Sequence, residues 1–81
     1  MERNEIFLGI VEILKDIFDD DELEIEESTS SEDIEDWDSL EYINIIVAVE
    51  KRFKVKFSVD DIKNIENVGA MVNLVERKMS N

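Results

Sequence analysis

Asp36-Trp37-Asp38-Ser39-Leu40-Glu41 marks the point at which an acidic stretch gives way to a strongly apolar one. Asp38 and Glu41 have the spacing of a capping box, in which the first side chain accepts from a backbone N–H and the later one reaches back. A helix is therefore expected to start at about Ser39. Beyond it Leu40, Ile43, Ile46, Val47 and Val49 recur at helical spacing as far as Arg52, and Tyr42 and Ile45 widen the apolar arc. So broad an arc predicts burial against several neighbours, with some apolar surface left for partners. The helix start leaves unpaired N–H groups and partial positive charge beside the Ser39 hydroxyl, an environment that favours a phosphoryl group. The plainer alternative is that Ser39 only helps to cap the helix.

Upstream, Ile6, Phe7, Ile10, Val11, Leu14, Ile17 and Phe18 recur at three- and four-residue spacing and predict an amphipathic first helix. It should end near Phe18, where Asp19-Asp20-Asp21-Glu22 places carboxylates beside the negative end of the helix dipole. A long acidic connection follows, with short helical turns expected at Ser31-Glu32-Asp33-Ile34 and with Leu23, Ile25, Ile34 and Trp37 as anchors onto the core. Downstream, Phe53, Val55, Phe57 and Val59 alternate with polar residues as a strand would. One strand has nothing to pair with here, so an extended loop that plugs the core is the better reading. Ser58 and Asp61 form a second capping pair for a short third helix, about Val59 to Asn64. Asn67 can cap a last helix whose inward face is Val68, Met71, Val72 and Val75, with Arg77 and Lys78 in its final turn. Gly69 in the first turn of that helix costs about 1 kcal/mol relative to alanine in a helix interior, less near an end, and either allows close backbone approach or serves no purpose. The fold expected is all-α, a four-helix bundle with a long acidic first loop and a short third helix, as one domain over residues 1–81.

Composition limits what such a bundle can do. The net charge is −13, with 38% charged residues, so self-repulsion and salt sensitivity are expected. Residues 1–38 hold sixteen acidic and two basic residues, a net of −14; residues 39–81 hold six acidic and seven basic, a net of +1. The acidic field belongs to the first half, and basic partner proteins suit it better than nucleic acid, whose phosphates it repels. There is no cysteine and no histidine, so thiolate chemistry and the usual general base near neutral pH are both missing. Met1-Glu2-Arg3-Asn4-Glu5 is too acidic for a signal peptide, and no apolar run approaches the ~20 residues that span a bilayer. The default expectation is a cytoplasmic monomer with no stable membrane insertion. With no imidazole to activate it and no glycine in the adjoining turn, Ser39 is better suited to accept a group than to attack a substrate.

Asp38-Ser39-Leu40, followed by Ile43, Ile46, Val47, Ala48, Glu50, Phe53 and Phe57, resembles the acyl carrier protein family over most of the chain. The resemblance implies that Ser39 receives 4′-phosphopantetheine from coenzyme A through a phosphodiester, and that acyl groups ride as thioesters on the arm's terminal thiol. It implies that Asp38 presents the hydroxyl to a phosphopantetheinyl transferase, a role compatible with capping. Leu40, Asn44, Val47 and Glu50 would form a partner-facing side of the second helix. The implied partners are that transferase, an acyl ligase or acyltransferase, and a ketosynthase or other acyl-processing enzymes; no catalytic residue and no metal site are assigned. Familiar fatty acid carriers have a glycine three residues before the serine, whereas this chain has Asp36 followed by Trp37, which stiffens the loop. Asn44 stands where an acidic residue is common, and Lys51-Arg52 where carboxylates often lie. These departures point to a specialised carrier for a fatty acid-like, polyketide or other dedicated pathway.

Other readings use the same residues. An aminoacyl or peptidyl carrier would load the same Ser39, and only its ligase and cargo would differ. A non-modified helical interaction module would tolerate Ser39→Ala. The carboxylates from Asp19 to Glu27 suggest calcium, but they lack the turn glycine and ligand spacing of an EF-hand. Ile43, Ile62 and Val68 could line a cavity for an acyl chain or simply belong to the core.

Overall fold

The computed structural model describes residues 2–80. It contains helices α1 (Arg3–Ile17), α2 (Ser39–Phe53), α3 (Val59–Lys63) and α4 (Val68–Met79), with no strand among the described residues. The fold is all-α and has the expected long first loop and short third helix. α1 packs against both α2 and α4. Their shared core holds Ile6, Ile10 and Leu14 from α1, Ile45 and Val49 from α2, and Val68, Met71, Val72 and Val75 from α4. The loop after α2 is extended, as the pairing argument requires: Val55 is buried and Phe57 half-buried against the core. Val59 does not continue that pattern, because it opens α3 and is exposed.

Helix ends follow from local chemistry. α1 stops at a left-handed Asp19 (φ 51°), with Asp19 N–H donating to Asp16 and Asp20 N–H to Lys15. That is a Schellman arrangement, so backbone geometry closes the helix where charge alone was expected to. α2 ends the same way at Lys54 (φ 57°, ψ 46°), where Lys54 and Val55 N–H both donate to the Glu50 carbonyl. A lysine in this conformation costs about 1 kcal/mol that a glycine would avoid. Ser58 and Asp61 form the complete capping box of α3, and Asn67 caps α4 by accepting from Ala70 N–H at 2.8 Å.

No helix forms in the acidic connection; the turn at 30–33 is closed by Asp33 N–H to the Ser30 carbonyl, and like bonds close turns at 20–23, 26–29 and 34–37. Ile25, Ile34 and Trp37 anchor it to the core, whereas Leu23, expected as a fourth anchor, is not part of that packing. Its firmest attachment is polar. Val68 N–H donates to the Thr29 carbonyl at 2.9 Å and Gly69 N–H to the Glu27 carbonyl at 2.7 Å, satisfying two of the four unpaired donors at the start of α4. A Cβ on Gly69 would lie 3.1 Å from that same Glu27 oxygen, so the glycine is what allows the approach. Arg3 adds a clamp from α1, pairing with Glu27 of the loop and with Glu76 of α4. The pairing raises the Arg3 pKa and lowers that of Glu27, in each case chiefly through their mutual hydrogen bond.

Candidate functional site

Ser39 is the first residue of α2 and is exposed. Asp38 caps the helix: its Oδ1 accepts from Glu41 N–H at 2.9 Å. The return half of the expected capping box is missing, because the Glu41 carboxylate accepts instead from Asn44 Nδ2 at 2.8 Å. Among the described residues, the N–H groups of Ser39 and Leu40 have no acceptor. Two free donors and the positive end of a fifteen-residue helix thus surround one exposed hydroxyl, an arrangement suited to a phosphodiester. Just before it, Trp37 is 7% exposed and its ring meets Phe18 at 6.1 Å between centroids. Backbone bonds from Trp37 to Ile34 and from Asp38 to Asp36 complete the turn. Position 37 therefore holds the serine by burying a large ring, where a glycine-containing turn would leave the loop freer.

A cleft of about 560 Å³ opens beside Ser39, lined on one side by Trp37, Asp38 and Tyr42 and on the other by Ile62, Lys63 and Ile65. Tyr42 Oη donates to the Ile62 carbonyl at 2.6 Å and so ties α2 to the end of α3 across this cleft. Its partial burial raises the phenol pKa. Of the residues considered for an acyl cavity, Ile62 lines the cleft, Val68 is wholly buried in the core, and Ile43 faces outward.

Along α2 the apolar arc divides. Ile45, Ile46, Val49 and Phe53 are buried, while Leu40, Ile43 and Val47 are 67%, 59% and 42% exposed. Sequence spacing puts Leu40, Ile43, Ile46 and Val47 on one broad apolar arc, and only Ile46 among them is buried. Of the partner-side residues, Leu40 and Val47 lie on the exposed stripe and Asn44 is exposed beside it. Glu50 is half-buried and its Oε2 accepts from Phe57 N–H at 2.8 Å, so it holds the following loop. Of the cleft residues, Tyr42 is visible in the sequence only as part of the apolar arc, and Lys63 and Ile65 carry no signal, since their approach to α2 is what gives them a role. Among the described residues no three carboxylates gather as metal ligands, and no helix is long and apolar enough to cross a membrane.

The family model described as "Phosphopantetheine attachment site" matches residues 9–75. This chain belongs to the acyl carrier protein family. The acyl carrier protein of Petrotoga mobilis is 32% identical over 80 residues, covering 99% of this chain and 94% of that one. The acyl carrier protein of Acidothermus cellulolyticus is 29% identical over 75 residues, covering 93% and 89%. A solution structure of a holo acyl carrier protein from Geobacter metallireducens superposes with a TM-score of 0.86 at 35% identity, covering 93% of this chain and 86% of that one. As an acyl carrier protein the chain is a carrier and not a catalyst, and its cofactor is 4′-phosphopantetheine. The exposed hydroxyl, the free helix N–H groups and the adjoining cleft fit that group.

Proposed function

We propose that Ser39 is the attachment residue of this acyl carrier protein and that residues 1–81 act as one carrier domain. The observation that carries the reading is the exposed Ser39 hydroxyl at the start of α2, beside two N–H groups without acceptors. In the loading step the Ser39 oxygen bonds to the phosphorus that bears the pantetheine arm of coenzyme A, and the P–O bond to the adenosine bisphosphate breaks. The hydroxyl proton passes to a base of the transferase, since this chain has no histidine to take it. Asp38 holds the helix end and presents the hydroxyl; Ser39 and Leu40 N–H stabilise the added negative charge. Once attached, the group supplies a thiol that forms thioesters with acyl cargo. Leu40, Val47 and Asn44, with Glu50 behind them, give partner enzymes an apolar face beside the loaded serine. Those partners are a phosphopantetheinyl transferase, an acyl ligase or acyltransferase, and ketosynthase-like or other acyl-processing enzymes of a dedicated pathway, met by a cytoplasmic monomer.

The test is incubation with coenzyme A and a broad-specificity phosphopantetheinyl transferase, followed by intact and fragment mass spectrometry. One phosphopantetheinyl group on Ser39, and none on a folded Ser39→Ala chain, is the expected result. Modification at another residue, or equal modification of Ser39→Ala, overturns the assignment.

A further inference from the structure

We propose that the C-terminal end of α2 and the loop after it form a docking site for an acidic segment of a partner protein that carries an aliphatic side chain. This adds a second contact to the partner-facing reading of α2 above and rests on it. The site is a cavity of about 470 Å³ whose apolar wall is Val47 and Val55 and whose rim is Lys51, Lys54 and Lys56. All three lysines are exposed, and none has a carboxylate partner among the described residues. Neighbouring charges are already committed: Arg52 pairs with Glu12 at 2.7 Å, and Glu50, which also lines the cavity, accepts from Phe57 N–H. Three cations against the one Glu50 carboxylate thus line an apolar hollow in a chain of net charge −13.

Helix-end electrostatics favour a cation at Lys51 and at the C-cap Lys54, but they do not explain Lys56, which lies beyond the helix, or why position 54 is not glycine. Lys54 is held in the left-handed conformation where glycine serves the helix end best. A strained position that keeps its side chain points to a use for that side chain. Charge complementarity selects carboxylates, and the Val47–Val55 wall selects an aliphatic group between them. A short protein segment can place its carboxylates at the three lysines alone, whereas an anionic bilayer is an extended surface that also faces the rest of a chain of net charge −13. Val47 also belongs to the exposed stripe that begins beside Ser39, so the docking site is continuous with the face next to the attachment residue.

The experiment titrates the ¹⁵N-labelled full chain, carrying its arm, with the blocked peptide Glu-Glu-Leu-Glu-Asp-Leu. Amide shifts should concentrate on Val47 and residues 50–56. The Lys51→Ala/Lys54→Ala/Lys56→Ala chain should bind about tenfold more weakly, and raising salt from about 20 to about 200 mM should weaken wild-type binding. Lys54→Gly separates docking from folding: it should raise Tm by roughly 3 °C while weakening the peptide several-fold. Shifts centred elsewhere, undiminished binding by the triple variant, or no binding overturn the proposal. So does uptake by phosphatidylglycerol vesicles without peptide binding, or use of the same residues for self-association. Arm loading is scored by mass on the same samples, so a loaded chain that ignores the peptide counts against docking alone, and an unloaded one against the Ser39 assignment.

Discussion

Two substitutions at Asp38 distinguish a helix cap from a residue that also presents the serine. The cap consists of one exposed hydrogen bond, Glu41 N–H to Asp38 Oδ1 at 2.9 Å, without the return bond of a full capping box. Removing it in Asp38→Ala should cost about 1 kcal/mol. A chain of this size has roughly 4–12 kcal/mol of stability in all. The loss should therefore be easy to measure, as a fall of about 1 M in the urea midpoint or about 5 °C in Tm. Asparagine keeps an oxygen in place and caps as well as aspartate, so Asp38→Asn should lie within a few tenths of a kcal/mol of wild type. Loading should not follow stability. If the carboxylate presents the hydroxyl, both variants should show a kcat/KM for arm transfer about tenfold lower, equivalent to about 1.4 kcal/mol of transition-state stabilisation. Trp37 is the single tryptophan and adjoins the cap, so its fluorescence checks that the loop stays folded in each variant. Normal loading of Asp38→Asn beside a destabilised Asp38→Ala would refute the presenting role and leave Asp38 as a cap only.

Three further outcomes test the packing and electrostatics. A Cβ on Gly9 would come within 2.7 Å of Phe53 Cζ, a buried ring, so Gly9→Ala should destabilise by about 1 kcal/mol despite alanine's better helix propensity. In a Phe53→Leu background the sign should reverse, and urea titration of the four chains would expose an absence of coupling. Asp61 pairs with Arg77 and Lys78 of α4 and accepts from Ser58 N–H; the Ser58 backbone bond first, and then Lys78, lowers its pKa from 3.8 to about 2. Its stabilisation is thus complete above about pH 4 and lost as pH falls through about 2. The stability gap between wild type and Asp61→Asn should close over that window, and a gap independent of pH would contradict the assignment. With a net charge of −13, Tm should rise as salt increases from about 10 to about 300 mM, and a flat or falling Tm would show that self-repulsion does not limit stability.

Much of the fold was legible because its signals are local. Capping at Asp38, Ser58 and Asn67 depends on a few adjacent residues, and each side chain makes the expected bond to the third backbone N–H after it. Loop conformation was less legible where it depends on distant partners. Nothing near Thr29 in sequence indicates that its carbonyl would complete the start of α4, thirty-nine residues on. Gly69 was the visible half of that contact, since a helix-opening glycine needs a reason, but the glycine does not name Glu27 as its neighbour. Asp19 illustrates the converse: the acidic run located the end of α1, while the left-handed turn that makes the end could have fallen on any of several residues.

The division of α2 into a buried and an exposed apolar face has a cause outside α2. At about 100° per residue, Leu40, Ile43 and Val47 cluster on one side and Ile45, Ile46, Val49 and Phe53 on another, their centres roughly 140° apart. Glu50 and Lys51 border the first arc and Tyr42 falls within the second, so the pattern favours covering the second but does not say by what. α1 covers one of them. The other is left open because α3, the remaining short neighbour, has only five residues and none of them is buried. A longer α3 with an apolar inner face would gain burial by lying over that stripe, and it would close the cleft beside Ser39 at the same time. The short α3 is thus the feature that keeps apolar surface exposed next to the site of loading, where a partner enzyme has to reach it.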